Sequence, residues 1–522
     1  MKIQEMIATT PIRVQPSLRG DEIRSLTSCR AGKIVPLAYV PLLREDRVSR
    51  GSLNLKFKMD ETVHPLMNAI NVTAYAHFVP FLAFERFHGM DSFNSSYMGE
   101  ADKGTGAVIP FFETVNFNKT AGFWNKMGIQ WVDGTPINSA PLEAYNVLVN
   151  YRRKARSTKL AERTKHDASL AEAFWKNPNM WHIVPDFDSA MMDGEVPLTI
   201  GNTRMNLRSS SSTIVNSNRS VPTAEAGYAP TLNSEGQYEW VNKLFVQLKD
   251  TMASVSLANI ELAKKTAAWA KMREQFIGLD DDYIIDLLMQ GIRVPDEAMR
   301  EPILLDKAST IFGYSERHAM DGASLDMSVT TGETSLTLNF RTPPMNTGGI
   351  ILITCEIVPE QLFERQLDSF LSRTDPQKLP DARRDTLDPE KVSIVKNNFV
   401  DVYHSTPNGT FGYAPLNHEW KRSLIRIGGK YYRPNPDTFV EDRQRFWAVE
   451  QPNPALTTDF YLVNNLPHSV FMDTLADPFE VMTIGGVQIV GNTVFGATLQ
   501  EDNDNYEKTM DGVDTTRIIQ GA

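Results

Sequence analysis

The stretch Gly348–Glu360, GGIILITCEIVPE, constrains this chain more than any other. Two glycines lead into an apolar run, Ile350 to Ile353, that continues through Cys355 to Ile357 and Val358 before Pro359 stops it. A run this short, rich in β-branched residues and bounded by Gly and Pro, reads as a strand buried on both faces rather than as a helix. Such a strand needs a layer above and a layer below, a demand met in a sandwich interior or an α/β sheet. The upstream flank chooses between them. Leu336, Leu338 and Phe340 alternate with Ser335, Thr337 and Asn339, a half-exposed strand, and only Arg341–Thr347, with Pro343 and Pro344, separates the two. That linker leaves no room for a crossover helix, so the two strands are expected to pair antiparallel within a β-sandwich.

The rest of the chain is read around that sandwich. Residues 1–31 are polar and proline-broken, with Lys2, Arg13, Arg19, Arg24 and Arg30 set against Glu5, Asp21 and Glu22, and are expected to form an extended arm. Lys33–Leu43, carrying Pro36 and Pro41, suits an edge strand or bulges. Period-two alternation marks Leu53–Met59 and Val72–Phe78 as strands with one wet face. Phe84–Met90 suits a short helix, and Asp91–Thr135 a long irregular stretch. A helix is expected from Ser139, with Pro141 in its first turn and Leu142, Tyr145 and Val149 on one face, running into the basic cluster Arg152, Arg153, Lys154 and Arg156. Residues 201–239 read as an exposed excursion. Leu244, Leu248, Met252 and Val255, then Trp269, Met272 and Phe276, follow helical spacing. Strands return from about Ser324, and Gln361–Leu371 is amphipathic. Further strands are expected at Asp459–Val463 and Phe479–Thr498, the latter anchored by Val487, Ile489, Val494 and Phe495. Together these give a mainly β fold: a single eight-stranded antiparallel jelly roll over residues 32–500, with large helical and loop insertions at about 84–195, 201–310 and 373–451, and an acidic tail at 501–522.

Composition removes several classes of function. A net charge of −11 excludes a wholly basic nucleic-acid-binding surface, so any such contact must come from local patches. With only Cys29 and Cys355, a disulfide framework is not expected. The N-terminus lacks an apolar signal core, and no run reaches the ~18 apolar residues of a membrane helix, so a soluble protein without membrane insertion is expected. The nine histidines show no HExxH, no His-x-His and no zinc spacing. Gly428-Gly429-Lys430 suits a hairpin turn rather than a phosphate loop, Asp280–Asp282 a helix cap, and Asp502–Asn505 a solvated tail. No catalytic residue, metal ligand or cofactor is assigned. The cluster at 152–156 is either a solvated helix face or a phosphate-contacting patch, with Tyr151 and Trp175 available to stack on bases.

Several stretches, in order, resemble the major capsid protein of microviruses, the small icosahedral phages with single-stranded DNA, on the gokushovirus side. They are Gly32-Lys33-Ile34-Val35-Pro36, Phe78-Val79-Pro80, Pro141-Leu142-Glu143-Ala144-Tyr145-Asn146, Val294-Pro295-Asp296-Glu297-Ala298 with Arg300-Glu301-Pro302, the Gly-led strand before Gln361 and Gln366, and Phe411-Gly412-Tyr413. Residues 201–239 and the stretch after Asp91 depart from the family pattern. The resemblance implies a structural virion protein, not an enzyme, assembled in the host cytoplasm. Its pentamers would build a T=1 icosahedral capsid around circular single-stranded DNA, with a small DNA-packaging protein, minor or spike proteins and a host surface receptor as partners. On that reading Arg13, Arg19, Arg24, Arg30, Arg152, Arg153, Lys154 and Arg156 are candidates for contacting DNA. Arg208, Ser210, Asn216, Asn218 and Tyr228 are candidates for a surface projection. The alternative is a jelly-roll carbohydrate-binding protein or glycoside hydrolase, its sugar site lined by Trp and Tyr. A cupin-type metalloenzyme fails at the missing His-x-His.

Overall fold

Nine strands of the computed structural model assemble into two antiparallel sheets. They are β1 (Ser17–Cys29), β2 (Ile34–Leu42), β3 (Arg47–Thr62), β4 (Ile70–Pro80), β5 (Ile303–Ile311), β6 (Gly313–His318), β7 (Ser328–Phe340), β8 (Gly349–Pro359) and β9 (Phe479–Gly491). One sheet has the order β1-β9-β3-β7-β6, the other β5-β4-β8-β2. The structure describes residues 15–186 and 297–496, with short breaks at 103, 178–179, 319–327, 388–390, 422–423 and 434–438, and four short strands between 205 and 248. No helix among the described residues is long and apolar enough to cross a membrane.

Alternation in β3 turns Leu53, Leu55, Phe57 and Met59 inward and leaves Asn54, Lys56 and Lys58 exposed. Facing them across the sandwich are Val72, Ala74, Ala76 and Phe78 of β4 and Ile351, Ile353, Cys355 and Ile357 of β8, all in one apolar cluster. Burying each large side chain stabilises the fold by roughly 1.5–3 kcal/mol. The opposite face of the four-stranded sheet carries Ile350, Leu352 and Val358, which join a second core. Three helices lie in this part of the chain: α1 (Met90–Met98), α2 (Gly122–Met127) and α3 (Ala140–Arg156). Leu142, Tyr145, Leu148 and Val149 of α3 and Phe123 and Trp124 of α2 cover that face. Strand β8 is therefore buried along its whole length, as the apolar run requires.

Several local expectations are overturned. Strands β7 and β8 do not pair; they lie in opposite sheets. Their proline-bearing linker crosses the sandwich beside the β2–β3 turn, tied to the turn by Glu45 N–H donating to Met345 O (2.7 Å) and to β3 by Thr342 N–H donating to Val48 O (3.1 Å). Residues 17–29 are not an arm: they pair with β9 over thirteen residues. Their apolar content is sparse because only one face is covered. The first helix spans 90–98 instead of 84–90. Residues 458–461 form a helical turn rather than a strand. Strand β9 stops at Gly491, leaving Val494 and Phe495 84% and 57% exposed, so they anchor nothing. Gly429–Tyr431 is a single 3-10 turn, not a hairpin. Leu248 belongs to a strand, Phe245–Leu248, not a helix; Met252 to Phe276 lie outside the described residues. Residues 188–292 make a unit of their own, in which Phe245–Leu248 pairs antiparallel with Met205–Arg208 and Pro230–Leu232 with Tyr238–Trp240.

Candidate nucleic-acid interface

Helix α3 opens where its sequence places it, although the Ser139 side chain, expected as the N-cap, makes no capping hydrogen bond. Pro141 occupies the first turn, where its missing N–H is harmless, and the Ser139 hydroxyl lies 3.0 Å from the Glu113 carbonyl oxygen. From the buried stripe Leu142–Tyr145–Val149, steps of three and four lead to Arg152 and Arg156. That spacing turns both arginines toward the protein. Arg152 donates to the Glu356 carboxylate and lies over Tyr75 and Phe174, 4.8 and 5.1 Å from the ring centres. Burial works against its charge, but Glu356 outweighs this and holds the guanidinium above its ordinary pKa. Arg153 is buried and donates to Ala161 O (2.7 Å) and Glu172 (3.0 Å); burial lowers its pKa, with Glu172 opposing. Arg156 lies over Trp181 (4.4 Å) and Tyr461 (5.0 Å) and donates to Trp181 O. Burial lowers its pKa as well. Lys154 alone of the four stays largely in solvent, 65% exposed beside Glu162. Trp175 is buried, which removes it as a stacking platform; Tyr151 is exposed.

The arginines of the first strand divide similarly. Arg19 is ion-paired with the buried Asp46 at 2.5 Å. Arg30 donates to Leu475 O (2.6 Å) and Thr474 O (3.1 Å) and lies 3.7 Å from Asp477. Arg24 is exposed on the outer face of its sheet. Arg13 lies outside the described residues, as do Ser210, Asn216, Asn218 and Tyr228 of the expected projection; Arg208 closes the strand Met205–Arg208. The basic cluster is thus mainly internal architecture. Arg152, Arg153 and Arg156 brace α3 against the sheet and neighbouring loops; Arg19 and Arg30 also have partners within the chain, the Arg30 side chain staying 40% exposed.

Two polar groupings escaped the sequence reading. Glu113, Glu143 and His166 place one ligand atom each within 4.8 Å of one another. Arg86 (2.5 Å from Glu143) and Lys165 (2.7 Å from Glu113) already balance both carboxylates. Burial pushes the Glu113 carboxyl up, but Lys165, Arg86 and His166 together hold it below its usual range. The second grouping lies on the α3-facing side of the four-stranded sheet, where Glu356, Thr354, His77 and Thr73 surround Arg152 and Lys176. Lys176 Nζ donates to Thr73 Oγ1 at 2.5 Å, while His77 Nδ1 and Thr354 Oγ1 are buried without a partner. Burial, then Arg152, lowers His77 to about 3, so its ring is neutral. The one acid inside an otherwise apolar run, Glu356, was the readable signal for this grouping. Glu356 and Thr73 match Arg152 and Lys176 within it, while the His77 Nδ1 and Thr354 Oγ1 atoms stay unmatched. Comparison with known proteins gives no matching family model and no matching characterised relative.

Proposed function

We propose that this chain is a major capsid protein of the microvirus kind, a virion subunit whose copies close into a T=1 icosahedral shell around circular single-stranded DNA. The observation that carries the reading is the strand order. We read β1-β9-β3-β7 and β5-β4-β8-β2 as the two sheets of an eight-stranded jelly roll, with β6 as an added edge strand. The nine strands occupy about a fifth of the chain. Most of the remainder falls, in sequence, between β4 and β5 and between β8 and β9, far more chain than the sheets need for closure. Surplus chain of this kind supplies the heterologous contacts that a closed symmetric assembly requires. Among the described arginines and lysines proposed for DNA, Arg24 and Lys154 remain open to solvent, so genome contacts would be few per subunit and repeated by symmetry.

Electron microscopy and mass photometry of the purified full-length chain test this reading. Sixty copies of a 58.7 kDa chain predict uniform closed particles of about 3.5 MDa. A chain that stays monomeric at high concentration with single-stranded DNA and its viral partners present, or one that binds defined glycans on an array or hydrolyses them, would overturn it.

A further inference from the structure

Strand β1 is the outermost strand of the five-stranded sheet. One edge pairs with β9 along its whole length; the other has no backbone partner among the described residues. Natural edge strands of this kind are blunted by proline, bulges, shortness or inward charges. β1 has thirteen residues, no proline and an unbroken register with β9. Its outer face carries Leu18, Gly20, Glu22, Arg24, Leu26 and Ser28, and Leu18 and Leu26 are 62% and 71% exposed. Of these devices only inward charge is present, as Arg19 and Asp21, and Arg19 is already neutralised by Asp46, so the open edge and its exposed leucines still offer a surface for pairing.

We propose that two copies of this chain pair β1 against β1 across a two-fold axis at Ile23, so that the five-stranded sheet continues from one subunit into the next. The proposal rests on the self-assembly reading above and names one of its interfaces. Outward-pointing N–H and C=O groups recur at every second residue, so the axis of a two-fold antiparallel pair must pass through a residue position. Ile23 is the midpoint of Ser17–Cys29, and an axis there pairs the whole strand. It also sets Glu22 of each copy opposite Arg24 of the other. Leu26 then faces Gly20 of the second copy, where the space a Cβ would enter is empty within 4 Å, with Leu18 beside it on the diagonal. Moving the axis to Glu22 or Arg24 sets like charges face to face. Moving it to Asp21 or Ser25 leaves Glu22 and Arg24 without opposite charges and shortens the ladder. Charge, shape and length therefore select one register, and Arg24, open to solvent in the single chain, is taken up by a neighbouring subunit, which leaves Lys154 as the open candidate for phosphate.

Charge reversal in the full chain tests this pairing. Glu22→Arg and Arg24→Glu each create two like-charge pairs across the axis. Each is expected to weaken self-association in sedimentation at low salt by about tenfold or more. Mixing the two variants, or combining both changes in one chain, restores complementary pairs and is expected to restore association, which a folding defect in either variant would not allow. In the assembled material, a chain carrying Glu22→Cys and Arg24→Cys is expected to form covalent dimers on mild oxidation. Single variants that associate like the parent, or losses that neither mixing nor the double change rescues, would overturn the pairing. Closed particles whose double-cysteine chain stays monomeric on a non-reducing gel, or cross-links to a different protein, would also overturn it and leave the shell reading standing. A rescued dimer from a chain that never closes into particles would instead uphold the pairing and defeat the shell.

Discussion

Replacing Arg152 with Met is the sharpest test of whether the basic end of α3 serves the fold or a ligand. Glu356 has a side chain only 2% exposed, and the Arg152 guanidinium is its ion-pair partner. Removing one member of a buried pair leaves an uncompensated carboxylate, which costs about 3–5 kcal/mol. Methionine keeps most of the packing against Tyr75 and Phe174, but the two cation–ring contacts are lost, each about 0.5–1 kcal/mol. The Lys176 ammonium near Glu356 offsets part of the loss, so a net destabilisation of about 4 kcal/mol is expected, a large share of the roughly 5–15 kcal/mol typical of a domain. Urea unfolding of the full chain, followed by tryptophan fluorescence, measures it. Combining Arg152→Met with Glu356→Leu removes both charges and is expected to return to within about 2 kcal/mol of the parent. An Arg152→Met chain within about 0.5 kcal/mol of the parent, yet impaired in retaining single-stranded DNA, would refute the structural assignment and restore Arg152 as a phosphate contact.

Three other outcomes are expected. His77 titrates near 3 in the folded chain against about 6.5 unfolded, so its contribution is present above pH 6.5 and is lost as pH falls toward 3. Near pH 5 this amounts to about 2 kcal/mol, and His77→Leu should flatten the urea-midpoint profile between pH 7 and 5. In β9, a Cβ on Gly485 would lie 2.1 Å from Ser52 O, whereas one on Gly486 would make ordinary contact at 3.5 Å from Asp21 O. Gly485→Ala is therefore expected to destabilise by about 1–3 kcal/mol or more and Gly486→Ala by far less, as read by thermal unfolding. Cys29 and Cys355 are both buried, and a hydrogen bond to Cys29 followed by burial raises the Cys355 thiol well above its usual range. A thiol-reactive dye should label neither cysteine in the native chain and both in denaturant; rapid native labelling would show that the sandwich opens.

The sequence displayed its fold in β3 and β8, whereas the face of β4 that carries Thr73 and His77, expected to be wet, is buried. Period-two alternation in β3 and the apolar run of β8 could adopt one arrangement each, and both appear as read. What failed was long-range choice. The short linker before Gly348 permits pairing between β7 and β8, but hydrogen bonds to the β2–β3 turn, invisible along the chain, take it across to the other sheet. Strand β1 was hidden because Ile23 is its main inward apolar residue before Cys29, and its remaining pattern of charges resembles a solvated arm. Helical arithmetic from Leu142, Tyr145 and Val149 turns Arg152 and Arg156 inward, a division that the adjacency of four cations along the chain conceals. Their acceptors, Glu356 and the Trp181 carbonyl, lie in other elements, and only folding brings them within reach.

The four-stranded sheet is a party wall. Leucine and isoleucine on its one side belong to the sandwich, those on its other side to the helix-and-loop layer, and each layer would expose this wall if it left alone. The loops therefore cannot melt while the strands persist unharmed, and a shock delivered at the outer layer is felt at once by the inner one. In the proposed particle, such single-step failure would keep half-collapsed copies out of the lattice.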